Sequence, residues 1–82
     1  MTDEFESRLI PLFQRAAREL AGVELTDLTL ETRMAEVDID SVFLVEIIGE
    51  LERELGVHIP DEELYDVETL GDLVRLARRS SP

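Results

Sequence analysis

The sequence predicts an all-α fold: a four-helix bundle with one short helix and a long loop between helices I and II. Apolar residues recur every three or four positions in three separate segments, which is the spacing of a helix face packed on a core. Alternation of apolar and polar residues, the pattern of a half-buried strand, is not convincing anywhere in the sequence. A chain of 82 residues suits one small core, so we expect residues 1–82 to form a single domain.

Helix I is predicted by an apolar stripe at positions i, i+4, i+7, i+8, i+11 and i+15. The stripe consists of Phe5, Leu9, Leu12, Phe13, Ala16 and Leu20. Thr2 or Asp3 is the expected N-cap, and Gly22 stands near the expected end of the helix. Pro11 lies inside the stripe and lacks a backbone N–H, so we expect either a kink there or a separate first segment.

Residues 23–38 break the helical pattern and are predicted to form a long loop. Threonine and aspartate side chains in this segment favour turns because they form hydrogen bonds with nearby backbone groups. Apolar residues at irregular spacing would pin the loop to the core. These anchors are Leu25, Leu28, Leu30, Met34 and Val37.

Helix II is expected from about Asp40 to Leu55, and Gly56 is the expected left-handed cap at its end. Five apolar residues of this segment cluster within roughly 100° of arc on a helical wheel, which is the width of a buried face. They are Leu44, Ile47, Ile48, Leu51 and Leu55.

The opposite side of helix II combines acids with exposed apolar side chains. It carries Val42, Glu46, Gly49 and Arg53, with Val45 on its flank. Glu46, Glu50 and Glu54 form a column at i, i+4 and i+8, and each like-charged pair costs about 0.2 to 0.5 kcal/mol in helix stability. Acids beside exposed valines indicate a transient, electrostatically steered protein interface, although isolated surface valines are also common.

The last part of the chain predicts two more helices. Val57–Ile59 is expected to be extended, Pro60 to stop that segment, and Asp61–Tyr65 to form a short helical turn. A final helix is expected from Thr69. Its buried stripe would be Leu70, Leu73, Val74 and Ala77. Three arginines suit the negative C-terminal end of this helix: Arg75, Arg78 and Arg79.

The charge of the chain narrows the class of partner. Twenty acidic residues against eight basic ones give a net charge of −12, which would repel nucleic acid and anionic membranes. Residues 34–74 hold thirteen of the acids and only one arginine, Arg53. We therefore expect a partner protein with a basic surface, and neither a nucleic acid nor a membrane.

The amino-acid composition also indicates in which cellular compartment the protein resides. No apolar run is long enough to span a bilayer, and the first residues lack the basic-then-apolar pattern of a signal peptide. The chain has no cysteine, so it has neither a disulfide nor a thiolate nucleophile of its own. We expect a cytoplasmic protein.

The residue patterns needed for catalysis or for a metal site are incomplete. Ser41 would need a base, but the only histidine, His58, follows the far end of helix II, which alone spans about 21 Å. Asp38 and Asp40 begin like a calcium-binding loop, but Phe43 stands where that loop requires glycine. We expect a non-catalytic protein without a metal site.

Ser41 stands at the first turn of helix II beside Asp40, and either residue is a suitable cap for that helix. The run DSVFLVEIIGELERELGVHIPDEELYDVETLGDLV resembles the acyl carrier protein family, the phosphopantetheine-binding carriers of fatty acid, polyketide and nonribosomal peptide synthesis. The likeness includes the Asp-Ser pair, the helix ending in Leu-Gly, the Ile-Pro-Asp and the Thr-Leu-Gly-Asp-Leu, and it extends over residues 37–74.

The resemblance implies a 4′-phosphopantetheine arm on Ser41, transferred from coenzyme A by a phosphopantetheinyl transferase. The thiol of the arm would hold a cargo as a thioester. A phosphodiester at this position would face the positive end of the helix, a placement worth about 0.3 to 1 kcal/mol when exposed. Asp40 belongs to the same motif, where it would cap the helix or be recognised by the modifying enzyme.

The resemblance also implies partner enzymes: an acyltransferase, a ketosynthase or an adenylating enzyme with a basic docking surface. The docking face that it implies consists of Val42, Val45, Glu46, Gly49, Glu50 and Arg53. Departures from the family pattern favour a freestanding carrier in polyketide or related secondary-metabolite synthesis; they stand at Asp38, Val42, Phe43 and Arg53. An aminoacyl or peptidyl carrier and an unmodified acidic helical adaptor are the alternatives.

Overall fold

A computed structural model describes residues 4–80 and contains four α-helices within that range. They are α1 (Glu4–Ala16), α2 (Ser41–Leu55), α3 (Asp61–Leu64) and α4 (Leu70–Arg79). Residues 4–80 contain no β-strand, so the all-α fold class with one short helix and a long first loop is confirmed. The predicted N-caps of the first helix, Thr2 and Asp3, lie outside the described residues.

The first helix is continuous through Pro11, so of the two alternatives predicted there, a kink or a separate first segment, the second is excluded. The irregularity lies further along, where Ala17–Ala21 form a π-helical turn that ends at Gly22 in the left-handed conformation, with φ of 68°. A π turn holds more residues than an α turn, so the residues within it leave the predicted stripe. Leu20 was predicted to be buried, and this prediction is wrong because the π turn leaves it 37% exposed.

One apolar core joins α1, α2 and α4. Removal of each large apolar side chain from water contributes about 1.5 to 3 kcal/mol, so these side chains dominate the stability of the fold. The largest fully buried ones are Phe13, Leu9, Ile47, Leu51, Ile59, Leu70 and Leu73. All of them except Ile59 belong to the predicted helical stripes, which therefore form the core or pack against it, apart from Leu20.

The long loop between α1 and α2 is attached to the start of α4. The backbone N–H of Met34 donates to the carbonyl oxygen of Glu68 at 2.8 Å, and that of Gly71 donates to the carbonyl oxygen of Leu30 at 2.8 Å. Met34–Glu36 form a short 3-10 turn within the loop. The predicted apolar anchors are all partly buried against the core: Leu25, Leu28, Leu30, Met34 and Val37.

The loop after α2 determines where α3 lies. Gly56 ends α2 with φ of 69°, and Val57 and Ile59 then turn into the core. The backbone N–H of Ile59 donates to a carboxylate oxygen of Glu52 at 2.6 Å, which ties the loop back to α2. Because Pro60 follows at once, α3 begins next to this anchor and runs beside the N-terminal half of α2.

Candidate functional site

Ser41 is the first residue of α2, and it is exposed. Asp40 is the N-cap: its side-chain Oδ1 accepts a hydrogen bond from the backbone N–H of Ser41 at 3.2 Å. Its backbone carbonyl accepts from the N–H of Leu44 at 2.9 Å. Of the two predicted caps, Asp40 therefore fills the role, and no described residue forms a hydrogen bond with the hydroxyl group of Ser41.

The N-terminus of α2 provides a favourable environment for an anion. The N–H groups of Val42 and Phe43 lie in the first turn, where a helix offers no acceptor of its own. These donors and the helix dipole stabilise a negative group by about 0.3 to 1 kcal/mol at an exposed site. A phosphate ester on the neighbouring hydroxyl would lie in this favourable field.

The Ser41 side chain lies at an open groove between α2 and α3 with a volume of about 360 Å³. The groove is lined by Ser41, Leu44, Val45, Asp61, Leu64 and Tyr65. Leu44 and Leu64 also line a smaller pocket of about 50 Å³ together with the buried side chains of Ile48 and Leu73, so these two side chains lie between the groove and the core. The hydroxyl group is therefore accessible from solvent and adjacent to an apolar surface.

The predicted docking residues nearest Ser41 are exposed. Val42 is 67% exposed and Val45 is 58% exposed. Tyr65, across the groove, is 90% exposed, and the sequence pattern did not assign it to the site. Spacing within the segment gives no signal for this exposure, because adjacent apolar residues on a helix can both be buried, as Ile47 and Ile48 are.

In the part of the predicted docking face farthest from Ser41, an arginine neutralises the charge of a glutamate. The guanidinium of Arg53 lies 2.6 Å from the carboxylate of Glu50. It also extends toward Gly49, where an added Cβ atom would lie 4.0 Å from Nη1 of Arg53, and Gly49 itself is half-buried. The second half of α2 therefore presents an ion pair rather than a free carboxylate.

The other two carboxylates of the predicted acidic column differ from each other. Glu54 lies 3.5 Å from the guanidinium of Arg15 on α1. Glu46 is exposed, and none of the residues from 4 to 80 forms an ion pair with it. Within the column, the uncompensated charge is therefore at the residue nearest Ser41.

The lone histidine takes no part in this site. His58 is exposed on the loop beyond the far end of α2, with Nδ1 3.3 Å from a carboxylate oxygen of Glu52. His58 is therefore a solvated loop residue. Across residues 4–80 no cluster of three or more metal-binding side chains occurs, and none of the described helices has the length and apolar character of a membrane span.

Comparison with known proteins identifies the family. The family model described as a phosphopantetheine attachment site matches residues 12–77. An acyl carrier protein of Rhodococcus erythropolis is 33% identical over 70 residues, which are 84% of this chain and 77% of that protein. The meromycolate extension acyl carrier protein of Mycobacterium tuberculosis is 42% identical over 57 residues, 68% of this chain and 50% of that protein, so the matched region is half the length of that relative.

The fold agrees with this result. A crystal structure of an acyl carrier protein from Thermotoga maritima superposes with a TM-score of 0.80 at 24% identity, covering 98% of this chain and 94% of that one. The chain belongs to the acyl carrier protein family of phosphopantetheine-binding proteins. Its cofactor is therefore a covalently attached 4′-phosphopantetheine, and its partners include a phosphopantetheinyl transferase and biosynthetic enzymes.

The residues at the start of α2 fit this prosthetic group. Attachment requires a hydroxyl that a modifying enzyme can reach, and Ser41 is exposed and not engaged by the described residues. The N–H groups of the first turn favour the charge of a phosphodiester, and the adjacent carboxylate of Asp40 opposes it. The arm requires open space, and the groove beside Ser41 provides it.

Proposed function

We propose that Ser41 is the attachment residue and that the chain holds a biosynthetic intermediate as a thioester on the 4′-phosphopantetheine arm. The arm contributes a terminal thiol, which the cysteine-free chain lacks. The chain presents this cargo to partner enzymes and does no chemistry on it. The observation that carries the proposal is the position of the Ser41 hydroxyl, exposed at a helix N-terminus and beside the groove between α2 and α3.

The chemistry of attachment follows from what surrounds Ser41. Its Oγ forms a bond to the phosphorus that bears pantetheine, the pyrophosphate bond of coenzyme A breaks, and adenosine 3′,5′-bisphosphate leaves. The hydroxyl proton must go to a base. His58 lies beyond the other end of α2, which spans about 21 Å along its axis, so His58 is too far away to be that base.

Another exposed serine provides a comparison within the chain. Ser7 is exposed on α1, but its hydroxyl donates a hydrogen bond to the carbonyl oxygen of Glu4 at 3.2 Å. It is the fourth residue of α1, whereas Ser41 is the first residue of α2. These differences support Ser41 as the attachment residue and make Ser7 a suitable control.

The proposed docking face begins at Ser41 and continues along α2. It comprises Val42, Val45, Glu46, Gly49, Glu50 and Arg53. The exposure of the two valines and of Glu46 supports the part nearest Ser41. Basic surfaces of an acyltransferase, a ketosynthase or an adenylating enzyme are the proposed complements, in agreement with the net charge of −12.

We place the carrier in polyketide or related secondary-metabolite synthesis, in the cytoplasm. This assignment is supported by four residues that depart from the family pattern: Asp38, Val42, Phe43 and Arg53. The 42% identity to mycobacterial meromycolate extension carriers favours a second candidate, a carrier for fatty-acid chain extension. An aminoacyl or peptidyl carrier shares the arm and the fold. Loading assays with malonyl, fatty-acyl and aminoacyl donors separate the three.

The attachment residue is tested by intact mass measurement after incubation with coenzyme A and a promiscuous phosphopantetheinyl transferase. We expect the wild-type chain and Ser7→Ala to gain one phosphopantetheine, and Ser41→Ala to gain none. A wild-type mass that stays unchanged contradicts the carrier function and favours the unmodified adaptor. A gain on Ser41→Ala contradicts the choice of residue.

A further inference from the structure

An arginine-rich stripe runs along the exposed side of the first helix. Residues 7–18 contain three arginines and no acidic residue, which gives this segment a charge of +3 in a chain whose net charge is −12. Arg8, Arg15 and Arg18 are all exposed. Their spacing of i, i+7 and i+10 places them on one side of the helix. This side of the helix therefore has the opposite charge to the chain as a whole.

Two of the three arginines contact the end of α2, and the third does not. A guanidinium nitrogen of Arg8 donates to the backbone carbonyl oxygen of Glu54 at 3.1 Å, and the guanidinium of Arg15 lies 3.5 Å from the carboxylate of the same residue. Both side chains of this ion pair are nearly half exposed, so water weakens their attraction. The side chain of Arg18 is exposed and forms no ion pair with any of residues 4–80. The stripe therefore keeps one free cation, at the start of the π-helical turn.

An open groove of about 240 Å³ lies between this stripe and the loop that follows it. The groove, called the arginine groove below, is lined by Pro11, Gln14, Arg15, Arg18, Glu24 and Leu25. Nε2 of Gln14 donates a hydrogen bond to the backbone carbonyl oxygen of Leu25 at 3.1 Å, which holds the loop against the helix. The two walls are therefore fixed in the folded chain, and a partner would pay little to order them.

The two walls of the arginine groove carry opposite charges. Arg15 and Arg18 lie on the helix side, and Glu24 lies on the loop side. Glu24 is exposed, and no ion pair joins it to Arg18 or to any other residue from 4 to 80. A bound carboxylate is therefore attracted to the helix wall and repelled by the loop wall. Pro11 and the half-buried Leu25 add apolar contact area.

The arginine groove is remote from the start of α2. Arg15 contacts Glu54, which is the last residue but one of α2, whereas Ser41 is the first. The helix between them spans about 21 Å along its axis. A partner in the arginine groove can therefore bind while another protein acts at Ser41.

From these observations we infer that the arginine groove binds an acidic segment of a partner protein. Carboxylates of that segment meet Arg15 and Arg18, and an apolar side chain contacts Pro11 and Leu25. A nucleic acid fits less well, because its charge is spread along a surface that a chain of net charge −12 repels. A segment with a few carboxylates meets mainly the charges within about 8 Å, the screening distance at physiological ionic strength. This inference goes beyond the proposed function and does not depend on the arm.

Nuclear magnetic resonance of the nitrogen-15-labelled chain tests the inference. The probe is a peptide of about ten residues with several glutamates and two leucines, and the control peptide has glutamine in place of each glutamate. At physiological salt we expect the glutamate peptide to shift the backbone amide signals of Arg15, Arg18 and Leu25. The signals of residues 42–46 should stay unchanged, and the glutamine peptide should bind at least about twofold more weakly.

Two substitutions in the arginine groove should act in opposite directions. Arg18→Gln should raise the Kd of the glutamate peptide about two- to fivefold, and Glu24→Gln should lower it by a similar factor, since it removes the repulsive carboxylate. Arg33→Gln is the matched control: it removes the same charge from an exposed residue that does not line the arginine groove, and it should leave the Kd unchanged. Thermal melting verifies that each variant is folded.

Four results would overturn the inference. The first is the absence of any shift with the glutamate peptide, and the second is an equal effect of Arg18→Gln and Arg33→Gln, which would reflect net charge alone. Tighter binding of a short thymidine oligonucleotide at the same amides would assign the surface to nucleic acid. Sedimentation that shows a dimer lost in Arg18→Gln would assign it to a second copy of this chain. Ser41→Ala should bind the peptide like the wild type, so failure of the carrier function leaves this test intact.

Discussion

The backbone N–H of Gly71 donates to the carbonyl oxygen of Leu30 over 2.8 Å, and this bond attaches the second residue of α4 to the loop between α1 and α2. The approach is close because Gly71 has no side chain: a Cβ atom would lie 3.0 Å from that oxygen and 3.4 Å from the Cβ of Leu30. The loop that leads to Ser41 therefore depends on a glycine in a different helix.

Gly71→Ala should destabilise the fold for this reason. Alanine in a helix is normally favoured over glycine by up to about 1 kcal/mol. Here the added methyl group must displace the carbonyl of Leu30, and overpacking of this kind costs about 1 to 3 kcal/mol, so we expect a net loss of about 1 kcal/mol. Urea unfolding monitored by circular dichroism measures the change.

Gly49→Ala is the matched control in α2. A Cβ atom at this position would meet only Nη1 of Arg53, at 4.0 Å. We expect the ordinary helix preference to prevail and stability to rise by about 0.5 to 1 kcal/mol. A similar gain at both glycines would contradict the steric role assigned to Gly71.

Thr69 and Asp72 form a capping box at the start of α4, in which each side chain accepts a hydrogen bond from the backbone N–H of the other. This motif predicts how the stability of the fold depends on pH. Oδ2 of Asp72 accepts hydrogen bonds from the backbone N–H of Glu68 at 3.0 Å and of Thr69 at 3.1 Å. These bonds, with a smaller contribution from Arg75, hold the pKa of Asp72 below its ordinary value of 3.8. A lowered pKa in the folded state means that the ionised carboxylate stabilises the fold. This contribution is fully present above the unfolded-state value and is lost as pH falls through the lower folded-state pKa.

Asp72→Asn should therefore be less stable than the wild type at neutral pH, and the difference should shrink as pH falls below 3.8. Thr69→Ala is the control, since it removes the hydroxyl that accepts from the N–H of Asp72 at 3.2 Å and introduces no change in a titrating group. Its cost of about 1 kcal/mol should persist at every pH. Melting temperatures across the acid range test both, and a difference for Asp72→Asn that does not vary with pH would refute the assignment.

The uncompensated carboxylate of Glu46 predicts how partner binding responds to salt. Charge-steered association is screened within about 8 Å at physiological ionic strength, so modification at low carrier concentration should slow as salt rises. Glu46→Gln should lower the rate and flatten this dependence. Glu54→Gln, whose wild-type carboxylate lies 3.5 Å from Arg15, is the control and should keep the wild-type slope. Equal slopes for the wild type and Glu46→Gln would contradict a role for Glu46 in steering.

The spacing of apolar residues predicted which residues form the core. It did not predict which residues of different elements lie next to each other. The wheel of α2 placed Ile47 and Leu51 inside and Val42 outside, because a helix face is fixed by spacing along one segment. The π turn that exposes Leu20 has no such local pattern. The exposure of Tyr65 across from Ser41 depends on how two elements pack, and spacing within one element carries no information about that.

The sequence did not predict the ion pair between α1 and α2, because this pair also depends on how two helices pack. The sequence showed Glu46, Glu50 and Glu54 as one acidic column, but it did not show that Arg15 on α1 lies beside the last of them. Long charged side chains choose among partners through their rotamers and through the packing of neighbouring helices. The uncompensated charge of this acidic column therefore depends on how the helices pack, which the spacing of its residues does not show.

The anchor of the loop before α3 predicts a stability effect that sequence spacing did not reveal. The backbone N–H of Ile59, a residue only 1% exposed, donates to Oε2 of Glu52 at 2.6 Å. Glu52→Ala would leave this buried donor without its acceptor, at a cost of about 1 to 3 kcal/mol. Glu52→Gln keeps an oxygen that can accept the bond, so it should lose less than half as much. Urea unfolding measures both variants, and hydrogen exchange at the Ile59 amide should be faster only in Glu52→Ala; equal losses would show that the charge of Glu52, and not this bond, holds α3 in place opposite Ser41.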